Sequence, residues 1–172
     1  NSDAAFVFAD SRQIDENDAS LAESYGYYYA DLDGIDFSKD FILPGEIFVG
    51  KALAIKNIIM NVSGVLWRRE ALFRVLDLAE DDLLRMKVAC DWKMYAAAAL
   101  EFGTVGYISE PLNVHRRHSS SVTHSRKAEA HYAEIQEVQD WIASQIELDE
   151  ATLERREAYR REVRAYLGLD QS

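Results

Sequence analysis

Six apolar residues in succession, 4–9, open this chain and end abruptly at Asp10. A run that short and unbroken suits a strand covered on both faces, as in sheets packed between helix layers, so it predicts an α/β arrangement. After Asp10-Ser11-Arg12-Gln13-Ile14-Asp15 the sequence turns at Glu16-Asn17-Asp18. The stretch 21–50 is an aromatic excursion with little regular pattern: Tyr25, Tyr27, Tyr28, Tyr29, Phe37, Phe41 and Phe48 sit among Asp and Gly, with a turn at Pro44-Gly45. Residues 47–55 read as helix and 62–67 as strand.

A short helix is predicted at 70–76, followed by an acidic connection at 77–82. The strongest helix signal covers 91–102, where Trp92, Tyr95, Ala99 and Phe102 share one face and Gly103 stops the element. Thr104-Val105-Gly106-Tyr107-Ile108 reads as the next strand, stopped by Glu110-Pro111, and 112–116 as extended. After three serines at 119–121, Tyr132, Ile135, Val138, Ile142 and Ile146 keep helical spacing. A last helix begins at an Asp149 cap, turns Leu153, Val163 and Leu167 inward, and stops at Gly168. No internal repeat is present.

Composition narrows the function. The 172 residues carry 19 Lys and Arg against 30 Asp and Glu, a net charge of -11, which argues against a nucleic-acid partner. One cysteine, Cys90, excludes an intrachain disulfide framework and a Cys-rich zinc site, and fits a reducing, cytoplasmic setting. No apolar run approaches a membrane span, and the first residues do not form a signal peptide. A start so close to a strand suggests a chain cut from a longer protein.

Two places carry chemistry. Asp91 opens the helix at 91–102, where the free N–H groups stabilise a carboxylate; it is either a helix cap or a base facing a cleft. His115-Arg116-Arg117-His118-Ser119-Ser120-Ser121-Val122-Thr123-His124 is the one dense basic segment, suited to phosphate oxygens or, through His118, to a divalent metal; a solvated turn is the alternative. Asp31-Leu32-Asp33 lacks the apolar strand that would lead into a metal-nucleotide motif. Asn61-Val62-Ser63 matches a glycosylation sequon inside a strand-like segment, and Cys90 suits a buried structural thiol.

In order, these segments resemble family 2 glycosyltransferases of the GT-A fold. Phe6-Val7-Phe8-Ala9-Asp10-Ser11-Arg12-Gln13-Ile14-Asp15 is similar to the strand after the family's metal motif. Asn61-Val62-Ser63-Gly64-Val65-Leu66-Trp67-Arg68-Arg69-Glu70-Ala71-Leu72 resembles its strand ending in Phe-Arg-Arg-Glu-Ala-Leu, and Asp91-Trp92-Lys93-Met94-Tyr95 the helix start with the catalytic aspartate. Gly106-Tyr107-Ile108-Ser109-Glu110-Pro111-Leu112 followed by His115-Arg116-Arg117-His118-Ser119-Ser120-Ser121-Val122 is similar to its closing signature. The match spans about residues 4–123. The family's nucleotide-binding strands and Asp-x-Asp motif are not in this sequence, and Cys90 stands where many members have Glu.

The resemblance implies a partial GT-A-like mixed sheet flanked by helices at 1–125; the helical extension at 126–172, read from its periodicity, lies outside the shared part. It implies inverting transfer of a sugar from a nucleotide-sugar donor to an acceptor hydroxyl. Asp91 would be the general base, and Arg116, Arg117, His118 and Trp92 would lie at the substrates. A divalent ion, Mg or Mn, would be held in part by His118, and the aromatic excursion could line an acceptor groove. Without the donor-binding half, the isolated chain is expected to be inactive. The alternatives are a non-catalytic interaction module using the C-terminal helices and, more weakly, a metal-dependent hydrolase. A half-sheet also leaves an edge that a second copy or the C-terminal helices would cover.

Overall fold

The structure is a computed structural model and describes residues 3–78, 80–117 and 128–171. Its sheet is mixed and has five strands: β1 (Phe6–Ile14), β2 (Ser20–Ala22), β3 (Phe41–Pro44), β4 (Val65–Trp67) and β5 (Thr104–Arg116). Their order is β2-β1-β5-β3, with β4 alongside the start of β1. β1 and β5 run parallel, and the other pairs are antiparallel. The helices are α1 (Gly26–Tyr29), α2 (Gly45–Phe48) continuing into a π turn (Val49–Leu53), α3 (Arg69–Leu78), α4 (Glu80–Arg85), α5 (Cys90–Phe102), α6 (Ala128–Gln145) and α7 (Glu150–Tyr166). The mixed α/β architecture with two C-terminal helices is therefore as the sequence predicts.

The core forms where α5 crosses the sheet. Tyr95 stacks on Trp67 at 5.7 Å and meets Phe6 at 5.8 Å, while Phe8 and Tyr107 lie 5.0 Å apart. α5 is buried nearly all round, because α6 covers its other side with Ile135, Val138 and Ile142. That position explains its run of alanines, which let neighbours approach from both sides. Gly45 makes the closest approach: a Cβ there would lie 1.8 Å from the Ala99 carbonyl oxygen. Gly103 ends α5 in the left-handed conformation at φ 84°.

Several sequence expectations are corrected. The strand read at 62–67 shrinks to β4, because the Asn61 side chain accepts a bond from Gly64 N at 3.0 Å and winds 62–64 into a 3₁₀ turn. β5 does not stop at Glu110-Pro111. From the Ala9–Ile108 pair to the Ser11–Asn113 pair, β1 advances two residues while β5 advances five. Pro111, lacking an N–H, fits that irregularity, after which the parallel ladder resumes. Asp149 caps α7 as expected, with Oδ1 accepting from Thr152 N at 2.8 Å. Leu153, however, is exposed. The inner side of α7 instead carries Thr152, Tyr159 and Val163 with Arg155 and Arg160, and the two arginines pair with Asp31 and Asp140.

The sheet is not covered on both faces. Val7 and Ala9 are only partly buried, and Ile42, Leu66, Leu112 and Val114 are exposed, Leu66 by 76%. The C-terminal helices stack on α5, the π turn and the segment around Tyr28 and Asp31. They do not bury Ile42 on the edge strand β3. No helix among the described residues is long and apolar enough to cross a membrane.

Candidate functional site

The inner face of the β1–β5 pair changes character along its length. Before the irregularity it presents Phe6, Phe8, Val105 and Tyr107, all buried. Beyond it the facing pairs are Ser11 with Asn113 and Gln13 with His115. Each of these polar groups has a partner, as buried polar groups require. Asn113 Nδ2 donates to Ser11 Oγ at 2.8 Å and to Asn61 Oδ1 at 3.0 Å. Gln13 Nε2 donates to the Tyr27 hydroxyl at 2.6 Å. The Tyr25 hydroxyl lies 2.6 Å from His115 Nδ1.

Burial pushes the Tyr25 hydroxyl up to about 12, so it keeps its proton and meets the imidazole as a neutral phenol. Burial, reinforced by the Arg117 charge, lowers the His115 pKa and favours the neutral ring. Tyr27, Tyr25 and His115 form a stack, with neighbouring centroids 5.9 and 6.0 Å apart. Tyr27 ends it and is 64% exposed.

Asp91 joins this region through Asn57. α5 begins at Cys90 with Ala89 as its N-cap, so Asp91 sits inside the first turn and is not the cap. Its Oδ1 accepts from Trp92 N at 2.7 Å and is 3.5 Å from Asn57 Nδ2. The Asn57 carbonyl accepts from the Tyr28 hydroxyl at 3.3 Å, and Tyr28 meets the Tyr25 ring edge-on at 6.3 Å. Burial raises the Asp91 pKa to about 6, with backbone hydrogen bonds opposing it only in part. A carboxylate in that range can exchange a proton near neutral pH.

The other predicted residues separate. The Arg117 charge acts on both the Tyr25 hydroxyl and the His115 ring, so Arg117 lies near the site. Arg116 points to the opposite side of β5, where it binds the Asp15 carbonyl at 2.9 Å and Asp18 at 2.5 Å. Trp92 is 2% exposed and donates Nε1 to the Leu53 carbonyl at 2.9 Å, the position of a core residue and not of a groove wall. His118, the expected metal ligand, lies outside the described residues. Among the described residues no three His, Cys, Asp or Glu side chains converge to hold a metal ion.

Asp10 is buried and accepts from Ser11 N at 2.7 Å and Tyr25 N at 3.1 Å, tying the excursion to β1. Asp31 pairs with Lys56 and Arg155, and the Asn61 amide is occupied by Asn113 and Gly64. Burial pushes the Cys90 thiol up, as suits a structural cysteine. Ser11, Gln13, Asn57, Asn61 and Asn113 were not singled out from sequence as site residues, whereas Tyr25 and Tyr27 lie in the excursion read as a candidate acceptor groove. The signal for three of the missed positions was alternation, Ser11/Gln13 on one strand and Asn113 beside His115 on the other. No protein-family model, curated protein or solved structure matches this chain.

Proposed function

We propose that this chain is the acceptor-side, base-bearing part of an inverting glycosyltransferase that moves a sugar from a nucleotide-sugar donor to an acceptor hydroxyl. The observation that carries this is the placement of Asp91: a partly buried carboxylate in the first turn of α5, 3.5 Å from Asn57 Nδ2, whose desolvation raises it to about 6. The order of segments resembling family 2 glycosyltransferases supports it independently.

In this reaction Asp91 accepts the proton of the acceptor hydroxyl as that oxygen attacks the anomeric carbon. The bond from that carbon to the diphosphate oxygen breaks, and its electron pair leaves with the nucleoside diphosphate. A single displacement inverts the anomeric centre. Arg117 and the His115 imidazole are suited to substrate oxygens, and the exposed Tyr27 ring offers an apolar face to a sugar. Arg116 and Trp92 take no part, since hairpin and core contacts occupy them. No step runs through the Mg or Mn ion that the resemblance implies, because the described residues offer no ligand set. The nucleotide itself is assigned to the donor-binding half of the family's fold, outside the matched segments. The interaction-module alternative has less support, because α6 spends its apolar positions against α5.

The test is release of nucleoside diphosphate from uridine-, guanosine- and thymidine-diphosphate sugars by the protein that contains this chain. Asp91→Asn should lower acceptor-dependent release by about 10²- to 10⁴-fold, the range for a positioned base. Wild-type release in the Asn variant, or a product with retained anomeric configuration, sinks the proposal.

A further inference from the structure

The loop that delivers Asp91 is held by a residue from a different layer of the molecule. Glu134, on α6 and 7% exposed, accepts backbone N–H bonds from Lys87 at 2.9 and 3.1 Å, Val88 at 2.7 Å and Ala89 at 3.1 Å. Ala89 is the N-cap of α5 and has no side-chain oxygen to receive the free N–H groups at the helix start. A carboxylate 45 residues further along the chain takes that place for the run entering the helix.

One turn and a half along α6, Gln139 makes the second anchor. It is fully buried, donates Nε2 to the Ile55 carbonyl at 2.7 Å, and accepts at Oε1 from Arg160 Nε of α7 at 2.7 Å. Ile55 lies two residues before Asn57. Ile59 N donates to Asn57 Oδ1 at 3.1 Å, which leaves Asn57 Nδ2 turned toward Asp91. The segments bringing Asp91 and Asn57 together are thus both tied to one helix.

We propose that Glu134 and Gln139 are positioning residues, through which the C-terminal helix pair fixes the placement and burial of the Asp91 carboxylate. The inference rests on Asp91 being the base of the proposed transfer. Removing Glu134 leaves three adjacent N–H groups to find water instead, and water admitted there hydrates Asp91 as well. A displaced base is also out of line with its hydroxyl, and small misplacements cost large factors in rate.

The experiment compares Glu134→Gln, Gln139→Met and, as a control on the same helix, Glu137→Ala, which breaks only the exposed ion pair with Arg85. Site-resolved NMR titration of Asp91 and hydrogen exchange at residues 87–89 read the device without turnover, and transfer rate reads its consequence. Glu134→Gln should speed exchange at 87–89, move the Asp91 titration from about 6 toward the ordinary carboxylate range, and cut kcat by about 10- to 100-fold with the donor KM unchanged. Gln139→Met should shift the titration in the same direction, which keeps the test open if Glu134→Gln does not fold. Glu137→Ala should change none of these. A folded Glu134→Gln or Gln139→Met protein whose Asp91 titrates as in the wild type overturns the positioning role. Shifted titrations in a protein with no transferase activity sink the transferase proposal and leave the coupling standing.

Discussion

Along the same two parallel strands, β1 and β5, lie two different kinds of interior. Phe6, Phe8, Val105 and Tyr107 pack under Tyr95 and Phe48, and this half is held by burial of apolar area. Past the irregularity at 108–113, Ser11, Gln13, Asn113 and His115 take the equivalent positions, and hydrogen bonds to Asn61, Tyr25 and Tyr27 complete them. Continuing the apolar pattern would have cost less desolvation. A fold that gives up that gain at one end, with a carboxylate of raised pKa nearby, has there the features the proposed chemistry needs and at the other end those of a stable core.

The contrast can be broken first in its apolar half. Phe8→Ala should cost about 3–5 kcal/mol, measured by urea unfolding, because it empties a site 2% exposed between Phe48 and Tyr107. A cost below about 1 kcal/mol would mean the sheet is not organised around this cluster.

The second variant sharpens the contrast by moving stability the other way. The Asp91 pKa is raised from 3.8 to about 6. The folded state therefore binds this proton more tightly than the unfolded chain, and stability is lost as pH rises through that window. Above it, Asp91→Asn should be more stable than the wild type by up to about 3 kcal/mol, the worth of a two-unit shift. Below pH 4 the gain should vanish. Denaturant midpoints at pH 8 and pH 3.5 check this, and equal differences at both would show that Asp91 is not paying for its burial.

The smallest effect belongs to the polar half. Tyr25→Phe removes the hydroxyl that meets His115 but keeps the ring stack, so about 1 kcal/mol of stability should go. The His115 titration, followed by imidazole NMR, should move with it. An unchanged histidine would mean that the Tyr25 hydroxyl does not influence the imidazole.

These two halves were not equally legible in sequence. The apolar half shows itself in the unbroken run at 4–9, and α5 in its alanines and terminal Gly103, because burial leaves its mark on neighbouring residues. The run overstated the case, since Val7 faces a side of the sheet that the described helices leave open. Asp91 was visible because a helix start is a local feature. The contacts of Tyr25 and Asn57 were not: Tyr25 meets His115 across 90 residues and Asn57 meets Asp91 across 34, and only the tertiary fold creates those contacts. The resemblance set Trp92 at the substrate, while its spacing with Tyr95 and Ala99 had already marked a core face. Leu153 misled because α7 binds the body through Arg155 and Arg160, whose partners Asp31 and Gln139 lie far away in sequence.

The most direct measurement is acceptor-dependent transfer as a function of pH, in the wild type and in Asp91→Asn. The expected result is a kcat/KM that rises with pH along a limb near pH 6 in the wild type, and that limb missing from an almost inactive variant. An Asn variant that keeps both the rate and the limb would contradict the assignment of Asp91 as the base.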